Sequence, residues 1–296
     1  MQLQGRLNHA SLGAHRVSNA RVLPSSRPVA LSRRLQQQIV CASDAKFFVG
    51  GNWKANGTVS MVDQLCKDLT AGAKQFDPKN VDVVVAPTAV HLQQVKGALG
   101  APYEVSAQDV WIKGPGAYTG EVPAEILKDM GITWTLTGHS ERRAYCGETN
   151  EVVGQKTARA LEADLNVIPC IGETLDQRNS GQLFEVLTAQ VQALVDNIQD
   201  WSRIVVAYEP VWAIGTGVVA TPEQAQEVHA FLRKLFTEKL GPQTASTLRI
   251  IYGGSVSDSN CKDLATQPDI DGFLVGGASL KSGAFLTIVG SHSVKA

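Results

Sequence analysis

The chain has 296 residues, of which 44% are hydrophobic and 19% charged, and its formal net charge is −1. This length and apolar content are enough to bury a sizeable core, in one large domain or two small ones. No apolar run approaches the roughly 20 residues of a membrane helix. Five scattered cysteines without a C-x-x-C pair predict neither a disulfide framework nor a zinc site, but buried thiols.

Although the net charge of the whole chain is close to zero, its first 43 residues are strongly basic. Residues 1–43 hold six arginines, six serines and no acidic residue or lysine, and the first acid is Asp44. This composition is typical of an organelle transit peptide, so we predict one over 1–43, ending at "IVCAS", and a catalytic domain over 44–296. Two prolines and the Val-Cys-Ala ending favour the chloroplast stroma, with the mitochondrion as the alternative. A disordered basic arm that binds nucleic acid or membrane is disfavoured, because no aromatic residue interleaves the arginines.

From Asp44 onward, short β-branched runs alternate with helix-like stretches. Residues 221–224, Thr-Pro-Glu-Gln, predict a helix start with an N-cap, a proline at the first position and a capping-box glutamine. The eight predicted strands are 47–52, 81–86, 103–108, 132–137, 165–170, 203–209, 248–254 and 270–277. Strict alternation over this length predicts an α/β fold, a closed parallel (β/α)8 barrel in a single domain. An open doubly wound sheet is the structural alternative.

Polar residues and glycine pairs follow several of these strands. Asn52 and Lys54 follow the first, His139 the fourth and Glu209 the sixth, and paired glycines at 253–254 and 276–277 follow the last two. In a barrel these groups converge on one rim, where active sites lie. Glycine turns that lead into helices present backbone N–H groups to anions, so we expect a small phosphorylated substrate.

Two of these side chains have properties suited to proton transfer. Glu209 ends an apolar run, and Pro210 after it carries no amide that the carboxylate could cap, so it suits a general base. His139 precedes Ser140, which we read as an N-cap, and Glu141, which opens the helix. A helix N-terminus lowers the pKa of an imidazole, and a neutral imidazole still donates an N–H. A metal role is not predicted, because no second ligand stands at the required spacing.

Five segments resemble the triosephosphate isomerase family, in the family's order: "GGNWKANGT", "GHSERR", "AYEPVWAIGTG", "YGGSV" and "GFLVGGASL". The resemblance covers about residues 46–290. It implies interconversion of dihydroxyacetone phosphate and D-glyceraldehyde 3-phosphate through an enediolate, with no cofactor and no metal. It also implies a homodimer that binds neither nucleic acid nor membrane.

The resemblance implies a role for each matching residue. Glu209 corresponds to the base between C1 and C2, and His139 to the neutral electrophile, with Ser140 in support. Lys54 corresponds to the cation that holds the substrate, Asn52 to its positioning partner and Glu141 to an acid beside Lys54. The family's phosphate donors correspond to Gly215, Ser255, Gly276 and Gly277.

Two loops also match the family. A mobile lid is expected over Pro210, Val211, Trp212, Ala213, Ile214, Gly215, Thr216 and Gly217, although Val218 stands where family members often carry lysine. "KGPGAYTGEV" (113–122) resembles the loop by which the family dimerises. Thr119 would reach the partner's site, and Glu121 would pair with Arg142 of the partner.

Two other functions remain to be weighed. "GTGVVA" (215–220) fits a dinucleotide-binding pattern, but its first glycine lies six residues past Glu209 and the helix opens only at Thr221. A non-catalytic phosphate-binding barrel would not need Glu209, His139 and Lys54 together.

Overall fold

The computed structural model describes residues 45–214 and 219–295. Its eight strands are parallel and hydrogen-bond in chain order, with the first paired to the last, so the predicted closed barrel is confirmed and the open sheet is excluded. The strands are β1 Phe47–Asn52, β2 Val81–Ala86, β3 Tyr103–Ala107, β4 Trp134–Thr137, β5 Asn166–Ile171, β6 Val205–Tyr208, β7 Arg249–Tyr252 and β8 Gly272–Val275.

Helices follow the strands on the outside. Within the described residues they are α1 Val59–Gly72, α2 Leu92–Ala98, α3 Ala124–Asp129, α4 Ser140–Cys146, α5 Asn150–Glu162, α6 Leu175–Asn179, α7 Leu183–Asn197, α8 Pro222–Leu240, α9 Pro242–Thr247, α10 Cys261–Ala265 and α11 Ser282–Gly290. Short 3-10 turns cover Ala73–Gln75, Ala89–His91, Val211–Ala213, Gly277–Leu280 and Ser291–Val294. None of the helices in this part of the chain is long and apolar enough to cross a membrane.

Two layers of apolar side chains hold the barrel together. Alternate strand residues fill its interior, among them Phe48, Trp134, Ile168 and Leu274. The other faces of the strands pack against the helices in a larger core. The interior is therefore solid, and polar chemistry is confined to the ends of the barrel. At the end where the strands begin, Arg249 stacks over Phe48 at 5.2 Å.

Local sequence signals set the helix starts. Thr221 accepts the amide of Gln224, the Gln224 side chain accepts the amide of Thr221, and Pro222 opens α8, as predicted. The expectation of buried thiols is confirmed for Cys66, Cys170 and Cys261. It is wrong for Cys146, which is exposed because it ends α4 at the surface.

Candidate active site

The strand ends surround a cavity of about 480 Å³. Asn52, Lys54, His139 and Glu209 line one part of it. Glycines 253, 254, 276 and 277 line another, together with Ser255. The structure thus brings together the predicted catalytic residues and the described ones among the predicted phosphate donors. Gly215, a predicted phosphate donor, and the lid residues Thr216 and Gly217 lie outside the described residues, as does Val218.

Lys54 is held in a left-handed backbone conformation, with φ of 53°. Its amide donates to Oδ1 of Asn52 at 3.0 Å. Its carbonyl accepts the hydroxyl of Thr88 at 2.9 Å and the side-chain amide of Gln108 at 2.8 Å. These bonds offset the strain of a positive φ. The ammonium of Lys54 pairs with Glu141, whose Oε1 lies 2.7 Å from Nζ.

His139 and Glu209 form a buried pair. Nε2 of His139 lies 3.1 Å from Oε1 of Glu209, and both side chains are buried. The other ring nitrogen, Nδ1, accepts the amide of Glu141 at 3.2 Å. An imidazole that accepts at Nδ1 carries its hydrogen on Nε2. The geometry therefore places a neutral ring with its N–H directed at the Glu209 carboxylate.

The start of α4 differs from the sequence prediction by one residue. His139, not Ser140, is the N-cap, because its Nδ1 accepts the amide of Glu141. The amide of Ser140 donates instead to Oε2 of Glu209 at 3.1 Å. Pro210 does remove the local amide, as predicted, but Glu209 takes a capping contact from a helix 69 residues away along the chain. A sequence pattern cannot reveal that contact.

The two pKa values follow from this pairing. Burial raises the pKa of Glu209, but His139, the amide of Ser140 and Lys54 outweigh it and hold that pKa below its ordinary value. Burial lowers the pKa of His139, and Lys54 adds to this, but the carboxylates of Glu209 and Glu141 outweigh both and raise it. The expected lowering for His139 is therefore wrong while Glu209 faces the ring. A helix N-terminus alone would lower the pKa of His139, but the carboxylate of Glu209 lies 3.1 Å from the ring and acts in the opposite direction.

A buried carboxylate that the sequence reasoning missed anchors the first part of the predicted lid. Glu173 accepts the indole N–H of Trp212 at 2.8 Å and the hydroxyl of Tyr208 at 3.1 Å. Arg178 pairs with the same carboxylate at 3.1 Å and stacks over Trp212. Ser255 donates its hydroxyl to the carbonyl of Ala213 at 2.5 Å. The segment from Pro210 to Ile214 is thus fastened at both Glu173 and Ser255.

Gln108 and Glu173 both carried a signal that could have found them. Each is a polar side chain just past a strand end, Gln108 after β3 and Glu173 after β5. This is the same position that singled out Lys54 and His139. Their burial and their partners, however, depend on loops far away in sequence.

The loop that resembles a dimer contact projects from the barrel between β3 and α3. Its base is closed by the amide of Trp111, which donates to the carbonyl of Val122 at 2.8 Å. Thr119 and Glu121 are exposed on it. Arg142 pairs within its own chain, with Asp109 at 2.9 Å and Glu148 at 2.5 Å.

In the described part of the chain, no group of three or more His, Cys, Asp or Glu residues is arranged to hold a metal ion.

Comparison with known proteins adds an independent finding. Residues 47–292 match the family model described as triosephosphate isomerase. The chain is 53% identical to "Triosephosphate isomerase, chloroplastic" of Secale cereale over 88% of this chain and 86% of the relative. It is 54% identical to the cytosolic enzyme of Oryza sativa subsp. japonica over 84% of this chain and 98% of the relative. It is 47% identical to the chloroplastic enzyme of Arabidopsis thaliana over 99% of this chain and 94% of the relative.

Proposed function

Because the chain belongs to the triosephosphate isomerase family and interconverts dihydroxyacetone phosphate and D-glyceraldehyde 3-phosphate, we propose that Glu209, His139 and Lys54 carry the chemistry. The observation that carries this assignment is the buried contact of 3.1 Å between Glu209 and His139 on the wall of the cavity. A general acid and a general base within hydrogen-bond distance can act on neighbouring atoms of one small substrate.

The carboxylate of Glu209 takes the proton from the carbon beside the carbonyl and returns it to the adjacent carbon. The N–H at Nε2 of His139 donates to the oxygen on which negative charge develops, and the ring moves protons between the two oxygens. The ammonium of Lys54, positioned by Asn52 and Glu141, stabilises the same charge. No cofactor is required, because the carbonyl already acidifies the neighbouring C–H bond.

The phosphate binds opposite, at Ser255 and the glycine turn of residues 276–277, together with Gly215. A β-carbon on Gly277 would meet nothing within 4 Å, so its backbone faces open space in which an anion fits. Residues 210–217 close over the phosphate as a lid. Closure excludes water and protects the enediolate from losing phosphate.

The active enzyme is a homodimer. Around the rim, Val59, Val90 and Tyr145 are exposed apolar side chains, at 62%, 83% and 85%. The segments of Val59 and Val90 are tied together, because Gln94 donates to the carbonyl of Val59 at 3.0 Å. These exposed apolar side chains support the proposal of an interface at the rim. The loop of residues 113–122 of the partner packs there, with Thr119 near the site and Glu121 against Arg142.

The protein is a chloroplast form. Its chloroplastic relative from Arabidopsis thaliana aligns with 99% of the chain, which includes the basic first segment. The cytosolic rice relative, covered over 98% of its own length, aligns with only 84% of this chain. We therefore propose that residues 1–43 are a transit peptide and that residues 44–296 act in the stroma. The relatives do not support the mitochondrial alternative.

Two substitutions test the catalytic roles in protein that lacks residues 1–43. Glu209→Asp retracts the carboxylate by about 1 Å, which is expected to lower kcat about a hundredfold with KM little changed. His139→Gln keeps a donor but cannot relay a proton, so kcat should fall by about two to three orders of magnitude. A coupled assay on dihydroxyacetone phosphate measures both.

The control is Glu223→Asp, the same chemical change at an exposed position in the first turn of α8. It should leave kcat unchanged. If Glu209→Asp keeps more than half of the wild-type kcat, Glu209 is not the base.

A further inference from the structure

Arg143 is a half-buried cation that pairs with no carboxylate in the described part of the chain. Among the residues that the structure describes, no carboxylate oxygen lies within 4.0 Å of its guanidinium. Its three contacts are the carbonyl of Gly138 at 2.8 Å, Oδ1 of Asn150 at 2.7 Å and the carbonyl of Cys170 at 3.1 Å. A partly buried charge without a counter-charge carries a desolvation cost, which its three hydrogen bonds have to offset.

The two carbonyls belong to the strand ends that carry the proposed proton-transfer groups. Gly138 directly precedes His139. Cys170 directly precedes Ile171, whose carbonyl accepts the amide of Glu209 at 2.7 Å. The guanidinium therefore connects the turn before His139 to β5, and the backbone of Glu209 is hydrogen-bonded to the end of β5.

The carbonyl of His139 accepts the amides of Arg142 and Arg143, but the turn at Gly138 has no side chain of its own to hold it. Its φ is 63°, and a β-carbon there would lie 2.5 Å from Cγ1 of Val153. No larger residue fits at 138, so the residue itself offers no side chain to hold the turn. Nε of Arg143 supplies the bond from outside.

The guanidinium also contributes charge. Burial lowers the pKa of Arg143, while the carboxylates of Glu209 and Glu148 act in the opposite direction. From the other side, the groups that face Glu209 are His139, Lys54 and the Cys170 thiol. Arginine keeps its charge even when buried, so this contribution to the site does not change with pH.

We propose that Arg143 is a positioning residue, whose guanidinium fixes the separation of His139 and Glu209 through two carbonyls and supplies a permanent positive charge behind them. The inference rests on the proposed roles of those two residues. Arg143 itself does not line the cavity.

Two variants separate position from charge. Arg143→Lys keeps the charge, but one ammonium cannot reproduce the fork that reaches both carbonyls and Asn150. It is expected to lower kcat roughly tenfold to a hundredfold, with KM, inhibition by inorganic phosphate and the acid limb of the pH profile of kcat/KM unchanged. Arg143→Met removes the charge as well. Arg143→Met should also shift the acid limb of the kcat/KM profile to higher pH by about half a pH unit, because Glu209 loses a cation that favours its ionised form.

The matched control is Arg203→Lys. Arg203 also donates to a backbone carbonyl, that of Leu161 at 3.0 Å, and pairs with Asp164, but it precedes β6 at the opposite end of the barrel. It should change thermal stability without changing kcat or the pH profile.

A kcat within twofold of wild type in folded Arg143→Lys overturns the positioning role. So does a loss of activity that disappears at lower temperature, because that loss would only follow unfolding. An unmoved acid limb in Arg143→Met overturns the charge contribution, and if that variant does not fold, Arg143→Lys alone decides the proposal. Glu209→Asp in the same assay distinguishes the failures: full activity there refutes the base assignment, whereas normal Arg143 variants beside an impaired Glu209→Asp refute this inference alone.

Discussion

Replacing Gly253 with alanine tests how closely the position of the Glu209 carboxylate is set. A β-carbon at Gly253 would lie 2.9 Å from Cγ of Glu209 and 3.3 Å from the carbonyl of Tyr208. The backbone cannot easily retreat, because the amide of Gly253 donates to that same carbonyl at 2.7 Å. The glutamate side chain therefore has to move.

The size of the effect follows from these distances. Ordinary contact begins at 3.4 Å, so Cγ of Glu209 has to shift by about 0.5 Å. Because a displacement of about 1 Å costs roughly a hundredfold in rate, Gly253→Ala should lower kcat about tenfold. The coupled assay on dihydroxyacetone phosphate measures it, and KM should stay within about twofold of wild type.

A control and a second variant make the test specific. Gly97→Ala lies inside α2, where a β-carbon meets nothing within 4 Å, so it should raise the melting temperature slightly and leave kcat unchanged. In the double variant Gly253→Ala/Glu209→Asp the γ-carbon and its contact remain and the carboxylate is displaced by both changes, so kcat should fall below that of either single variant. A Gly253→Ala protein with more than half of the wild-type kcat would refute the reasoning.

Three further outcomes follow from the structure and the sequence. Burial lowers the pKa of His229 to about 3, against about 6.5 in the unfolded chain, so the unfolded state alone binds a proton between these values. Urea unfolding at pH 7 and pH 5 should show a loss of stability in wild type that exceeds the loss in His229→Gln by roughly 2 kcal/mol; equal losses would contradict the burial argument. Deleting residues 214–217 should leave the barrel folded but release methylglyoxal during turnover, and normal turnover without methylglyoxal would disprove the lid. Shortening residues 114–119 should yield monomers of low activity in sedimentation and rate measurements, whereas a fully active wild-type monomer at micromolar concentration would count against the homodimer.

The sequence was sufficient to predict the strand order and most of the rim, but not the ends of every strand. β1 and β2 begin and end as predicted. The run from residue 132 was expected to pair throughout, yet β4 begins at Trp134. Ile132 is completely buried but bonds back to Leu127 rather than to a neighbouring strand. The apolar character of a residue indicates that it is buried, whereas its hydrogen bonding within a sheet depends on where the neighbouring strand begins.

The site shows the same limit at the level of single contacts. Strand-end positions predicted which of the described residues meet, because a parallel barrel brings all its carboxyl ends together. They did not predict that Glu209 caps α4 or that it raises the pKa of His139. Both effects arise between residues about 70 positions apart, and local patterns contain no information on such pairs.

The amide of Ser140 holds the carboxylate of Glu209, the proposed base, in the position seen in the structure. A rotation of this carboxylate towards a substrate carbon would leave the amide of Ser140 without this acceptor. A hydrogen bond to a charged group is worth about 1.5–3 kcal/mol, so losing it would disfavour the rotated arrangement by an amount of that order. A substrate oxygen that takes over the freed N–H returns this energy when the base is needed. Substrate binding in the cavity and release of Glu209 from the N-terminus of α4 would thereby be coupled.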